Sequence, residues 1–308
     1  MNDIRAIKIT SKMKNIFSIL FLSLCVAFAS CTEDYDADAA TSYYEAPTDC
    51  RLVKSVKSTF TENGYESTYE HRFAYDAKNR IKTITSTQTF YSPFLEKYID
   101  TVYYKCNMTS TANYFYRGEE LEVAYAITIK YPDKPTENKY ASSSNYGFFK
   151  PNGVLGRFSL GAFEYNLVAL EAAYSDDDIC IELYRDGKGN VTGYKKYKHT
   201  TGQVLENKEN RYFYSSAKKN RTNFDFSAYF GYWGAEQAVP LISRAYRAPF
   251  QLAAFGMLGA TSTYLPDGII DADGGKMYGT WEWDEADNNY PVSYIDPEER
   301  KTEITYYN

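Results

Sequence analysis

Along most of this chain, apolar and polar side chains alternate one by one. From Leu121 to Ile129 every second residue is apolar: Leu121, Val123, Tyr125, Ile127 and Ile129. That period of two puts one set of side chains on each face of a pleated strand. Similar runs occupy residues 51–60, 65–75, 80–91, 97–106, 112–117, 163–174, 179–185, 191–199 and 204–214. The last three are 276–283, 291–295 and 301–307. Between them stand Asn63-Gly64, Arg117-Gly118, Asn152-Gly153 and Asp186-Gly187-Lys188-Gly189. Short strands joined by such links predict antiparallel hairpins.

One hairpin recurs. Tyr75-Asp76-Ala77-Lys78-Asn79-Arg80-Ile81 aligns with Arg185-Asp186-Gly187-Lys188-Gly189-Asn190-Val191, and Trp281-Glu282-Trp283 followed by Asp287-Asn288-Asn289-Tyr290-Pro291 is a looser third copy. In each, Asp closes the turn through nearby backbone, and Asn or Gly supplies a positive φ. A hairpin is marginal alone, so several must line up in one sheet.

Two stretches break the alternation. Residues 224–265 start aromatic, continue rich in Ala, Leu and Phe, and are interrupted by Pro240 and Pro249. They predict a short helical or coiled insert covering one face of the sheet. The expected fold is therefore mostly β: a curved antiparallel sheet or incomplete barrel of consecutive hairpins over residues 50–308, with the insert packed on one face.

The other break is an apolar run at 16–29, preceded by Lys8, Lys12 and Lys14 and followed by Ser30-Cys31. Basic residues, an apolar core and small residues before a cut make a removable export signal. The run is shorter than the about 20 residues a spanning helix needs. Met13-Lys14-Asn15 makes a conventional start. Phe28-Ala29-Ser30-Cys31 has the shape of a lipobox, with Phe28 where leucine is usual. Cleavage after residue 30 leaves Cys31 to carry the lipid. One acyl chain, at roughly 0.8 kcal/mol per buried CH₂, holds a membrane only weakly, whereas two or more anchor stably. Residues 31–49 contain six acids and no Lys or Arg, a composition that stays unfolded as a tether.

Without residues 1–30, which hold four basic residues and one acid, the chain keeps 30 Lys and Arg against 39 Asp and Glu. So acidic a domain is a poor match for nucleic acid or an anionic bilayer surface. Tyr is unusually abundant, at 32 of 308 residues, which suits a half-buried pleated surface. Cys50, Cys106 and Cys180 remain after lipidation; three thiols allow at most one disulfide, and a buried inert state is the expectation for each.

The hairpins, together with Tyr212-Phe213-Tyr214 before Lys219-Asn220, Phe255-Gly256-Met257-Leu258-Gly259 before Tyr264-Leu265-Pro266, and the closing Trp281-Glu282-Trp283 and Glu303-Ile304-Thr305-Tyr306-Tyr307, resemble a Bacteroidetes lipoprotein family. It is catalogued as a domain of unknown function with a porter domain. Two departures are Trp for Tyr in the last hairpin and Asn289 where the family has Gly. The resemblance implies a lipid-anchored, curved β-sheet protein of the outer membrane, with no catalytic residue to carry over. Thr32-Glu33-Asp34-Tyr35-Asp36 looks like the acidic signal that sends such lipoproteins to the cell surface; the periplasmic leaflet is the alternative. Asp100-Thr101-Val102 fits the O-glycosylation pattern of the same phylum, which makes Thr101 a candidate site, with a plain strand start as the alternative.

Candidate chemistry is sparse. Only His71 and His199 exist, so neither a histidine-rich metal site nor a Ser-His-Asp triad has much to draw on, and no cofactor is expected. Gly156-Arg157-Phe158-Ser159-Leu160-Gly161 lacks the Gly two residues before Ser159 that a nucleophile elbow requires. Asp271-Ala272-Asp273-Gly274 resembles a calcium loop, but Lys276 stands where its sharp-turn Gly belongs. Asp176-Asp177-Asp178 reads as a solvated turn. Tyr229, Tyr232 and Trp233 form a candidate aromatic platform for sugar rings, against the alternative of packing on the sheet.

Three functions fit. The first is a surface lipoprotein that binds a glycan or an envelope protein without catalysis. The second is a carrier of an apolar ligand with 235–260 as its lid, and the third is a polysaccharide hydrolase with two facing carboxylates.

Overall fold

The computed structural model describes residues 44–62, 64–95, 101–165, 168–170, 178–209, 212–215, 218–230, 252–271, 273–287 and 289–308. Seventeen strands are present among them: β1 (Val53–Glu62), β2 (Tyr65–Tyr75), β3 (Ile81–Leu95), β4 (Thr101–Arg117), β5 (Glu120–Lys130), β6 (Lys139–Phe149), β7 (Leu155–Tyr165), β8 (Val168–Leu170), β9 (Ile179–Arg185), β10 (Val191–Lys198), β11 (Val204–Glu209), β12 (Tyr212–Phe213), β13 (Gly268–Ile270), β14 (Lys276–Tyr278), β15 (Thr280–Trp283), β16 (Pro291–Ile295) and β17 (Lys301–Tyr306). Thirteen form one sheet in the order β11-β10-β9-β7-β6-β5-β4-β3-β2-β1-β17-β16-β15, and β8 adds to β7. Its pairs are antiparallel, as hairpin-by-hairpin construction demands, and β11 and β15 are its edges, so it is not closed. Strands β12, β13 and β14 make a separate small sheet.

The recurring turn is real and more frequent than the sequence suggested. Asp76, Asp186, Asp271 and Asp296 each bond backbone to backbone with the residue four later, and each carboxylate accepts from the N–H groups two and four residues on, at 2.7–2.9 Å. Every copy places its fourth residue in the left-handed region: Asn79 (φ 58°), Gly189 (85°), Gly274 (84°) and Glu299 (62°). The turns join β2 to β3, β9 to β10, β13 to β14 and β16 to β17. The loose copy at 284–290 closes differently, over a wider span, with the Asp284 N–H donating to the Tyr290 carbonyl at 3.1 Å.

Several strand assignments change: β6 was not expected, β7 starts at Leu155 where a run from residue 163 was expected, and the run expected at 204–214 divides into β11 and β12 of different sheets. Residues 97–106 and 112–117 were expected as separate runs, yet β4 passes unbroken through 107–111. Its inward residues there, Met108, Ser110 and Ala112, are buried. Residues 276–283 were expected as one strand, but the chain breaks at Gly279 between the two sheets. The Tyr294 ring lies so close over Gly279 that a Cβ there would sit 2.3 Å from its hydroxyl.

The core lies between the large sheet and the insert. Asp225, almost fully buried, caps the helical turn Phe226–Ala228 by accepting from the Ala228 N–H at 3.0 Å, and it also accepts from the Ser227 hydroxyl and the Ser262 N–H, both at 2.6 Å. So many donors are what a buried carboxylate requires. Around it Phe224 meets Phe73 of β2 at 5.4 Å between ring centroids, and Phe255 meets Phe73 at 5.1 Å. Rings of this size dominate core energetics, and removing one costs about 3–5 kcal/mol.

The insert also reveals the curvature. Strands β10 and β15 lie eleven spacings apart in the sheet, roughly 53 Å if it were flat. Both nevertheless reach the same few residues. The Val191 N–H of β10 donates to Ser262 Oγ at 2.9 Å, Ser262 is bonded to Asp225, and the neighbouring Phe226 ring lies 5.5 Å from Trp281 of β15. The sheet bends around the insert.

Candidate functional site

The helical turn places Tyr229, whose N–H donates to the Asp225 carbonyl at 3.0 Å. Its ring points inward and is 4% exposed, against Phe224 and edge-on to His71 at 5.8 Å. His71 of β2 holds Ser86 Oγ at 2.7 Å through Nδ1. Burial pushes its pKa down to about 3, so the ring is neutral at physiological pH. With Phe60, Tyr294, Asp296 and Arg300, His71 and Tyr229 wall a void of about 30 Å³. A space of that size suits one or two waters and no larger ligand.

Phe60 and Arg300 separate the void from an open groove. The Arg300 guanidinium lies 5.4 Å from the Phe60 ring centre. Beyond it the groove is lined by Glu66, Glu298, Glu299 and Glu303, together with Lys301. Burial holds the Asp296 carboxyl above its ordinary value, but that group is committed to its own turn. The groove is a solvated surface of mixed charge.

A different surface carries exposed aromatics. Outward positions on β3 and β4 include Tyr91 and Tyr103. Tyr65, at the start of β2, lies past the last β2–β3 partner pair, Thr68 and Thr89. Its ring stacks on Tyr91 at 4.3 Å and tilts against Tyr103 at 5.6 Å. Tyr65 is 37% exposed and the other two are half-buried. A cluster of this kind offers apolar ring faces beside hydroxyls that hydrogen-bond, which suits a ligand with one greasy and one wet side.

The residues singled out in the sequence fall as follows. Tyr229 belongs to the wall of the void. Tyr232, Trp233 and Cys31 lie outside the described residues, as do Asp176 and Asp177. Thr101 opens β4 opposite Leu95. Ser159 sits within β7, and the Asp271 carboxylate is used by its own turn. Cys50, Cys106 and Cys180 are free thiols, the last two buried. Cys180 Sγ lies 3.4 Å from His199 Nδ1, and burial raises its pKa, the opposite of what a reactive thiol needs. Among the described residues, no three His, Cys, Asp or Glu side chains gather as a metal would require. Tyr65, Tyr91 and Tyr103 were not singled out, because they lie on three different strands and only the fold brings them together.

No protein-family model matches the chain, and no curated protein does. Among solved structures it is similar to a porin-like protein from Bacteroides uniformis ATCC 8492, at 12% identity and a TM-score of 0.42, covering 86% of this chain and 99% of that one.

Proposed function

We propose that this chain is a lipoprotein of the cell envelope, acylated on Cys31 after residues 1–30 are removed, whose β-domain acts by binding and not by catalysis. The exposed cluster of Tyr65, Tyr91 and Tyr103 carries this reading. Tyr65 stacks on Tyr91 and tilts against Tyr103, so three ring faces and three hydroxyls stand together where a partner can meet them. Its partner is a glycan or an envelope protein presented to that face. A carrier of an apolar molecule would want a chamber of several hundred Å³, and the void beside the insert is far smaller.

The test has two arms. Cells fed a clickable palmitate analogue should label the wild type and not Cys31→Ala; equal labelling removes the anchor. Glycan-array and envelope pull-down signals from the full chain should fall when Tyr65 and Tyr91 are both changed to Ala. Signals that survive unchanged remove the tyrosine site.

A further inference from the structure

On the outward side of β3 and β4 the side chains follow a simple rule. Positions 83, 85, 87 and 89 of β3 are all Thr. Opposite them β4 offers Asn107, Thr109, Thr111 and Asn113, in a continuous register without a bulge. Eight adjoining outward positions thus carry neither a charge nor an apolar chain, in a protein whose composition is 24% charged. Strand propensity accounts for Thr but not for Asn, which strands disfavour.

The two Asn residues are also held in a set orientation. Thr83 donates its hydroxyl to Asn113 Oδ1 at 3.1 Å, and Thr89 donates to Asn107 Oδ1 at 3.3 Å. With each oxygen engaged, each amide NH₂ remains as a pair of donors with no partner among the described residues. The two pairs stand six residues apart, about 20 Å along the strands. At one end of the field lies Tyr91, two residues beyond Thr89, with Tyr65 and Tyr103 around it.

We propose that this face binds an uncharged polysaccharide chain lying along β3 and β4, with a sugar ring stacked on the Tyr65–Tyr91–Tyr103 cluster and further hydroxyls bonded to Asn107, Asn113 and the Thr hydroxyls between. The assignment rests on the tyrosine reading above and names its ligand. Charge decides among occupants. An anionic polymer or membrane would be met by Lys or Arg, and within this stripe only Lys105, at its tyrosine end, is basic. The centre of a protein interface would be aromatic, Met- or Arg-rich, and the centre of this field is hydroxyl and amide. A ligand dense in hydroxyl groups answers every position with both a donor and an acceptor.

The test is affinity electrophoresis of the full chain in nonionic detergent, through gels cast with amylopectin, mannan or xylan, and with chondroitin sulfate as the anionic comparison. We expect retardation in at least one neutral gel and none in chondroitin sulfate. Thr85→Val, Thr87→Val and Thr109→Val combined keep β-branched shape and strand preference while removing hydroxyls, and should weaken retardation about tenfold. Asn107→Ala with Asn113→Ala should do the same. Near-ultraviolet circular dichroism checks that each variant keeps its packing. Array variants that bind like wild type while Tyr65→Ala/Tyr91→Ala abolishes binding would overturn the array and leave the tyrosine site standing. Passage through every neutral gel without retardation, or retardation in chondroitin sulfate alone, would overturn the ligand assignment, whatever protein partner the tyrosines hold.

Discussion

The turn at 76–80 and the turn at 296–300 share one backbone recipe and differ in almost everything else. In the first, Arg80 reaches back to Asp76 at 2.6 Å, both side chains are at most 2% exposed, and the Tyr116 ring covers the guanidinium at 4.4 Å. In the second, Arg300 lies 3.7 Å from Asp296, leans on Phe60 and contacts Glu298 at the surface. The left-handed position is Asn79 in one and Glu299 in the other; Asn tolerates that conformation, whereas Glu does so at a cost of about 1 kcal/mol. The comparison teaches that Asp and the positive-φ residue make the turn. What surrounds the Arg decides whether the turn also holds the core together.

The largest effect should follow from Asp76→Ala. It strands Arg80 in the interior, so denaturant unfolding should show a loss of about 3–5 kcal/mol. The same change at Asp296 should cost clearly less, and equal losses would end the distinction.

Acid separates the two regions next. His71, behind the 296–300 turn, stays neutral in the fold down to pH about 3, while the unfolded chain protonates it near 6.5. Stability contributed by this site is intact above pH 6.5 and falls as the pH drops toward 3, by about 1.4 kcal/mol per unit. Asp296, with its raised value, takes up its proton more readily when folded and partly offsets that loss. His71→Gln should flatten the profile; an unchanged slope would place the acid sensitivity elsewhere.

Smaller changes sharpen the contrast. Glu299→Gly should raise stability by about 0.5–1 kcal/mol by relieving the left-handed backbone, whereas Asn79→Gly should change little. Arg300→Ala should cost less than Asp76→Ala, because its ion pairs keep part of their solvent. Thermal melts of the three variants would rank them.

Much of this architecture is legible in the sequence, since alternation announces most strands and the turn motif announces two of its four copies. Strand β6 was missed, and β7 was placed too late. The reason is physical: the three middle inward positions on β6 are Ser143, Asn145 and Gly147, with apolar Ala141 and Phe149 only at its ends, so the period of two is present without most of the apolar signal that reveals it. Gly147 is small because Leu155 of the next strand fills its place, 2.7 Å from where a Cβ would stand. The copy of the turn at 296–300 escaped notice because Pro297 and Glu299 disguise it. The tyrosine cluster was least legible of all. Tyr65, Tyr91 and Tyr103 are ordinary strand residues until the fold brings their rings together, whereas the conspicuous aromatic run at 224–230 is needed inside.

One pairing sets the order in which the molecule can be completed. Strand β1 lies between β2 and β17, and Ser58 meets Thr302 through their hydroxyls at 2.9 Å. About four-fifths of the chain separates those partners. Hairpins can zip as soon as both of their strands are available, but one flank of β1 must wait for residues 301–306. Until they arrive, a row of unsatisfied amides stands open in the middle of what will become the sheet, a template for the wrong strand. Loop closure over such a distance is slow, and a truncated copy lacking that last strand should cling to chaperones or to its neighbours.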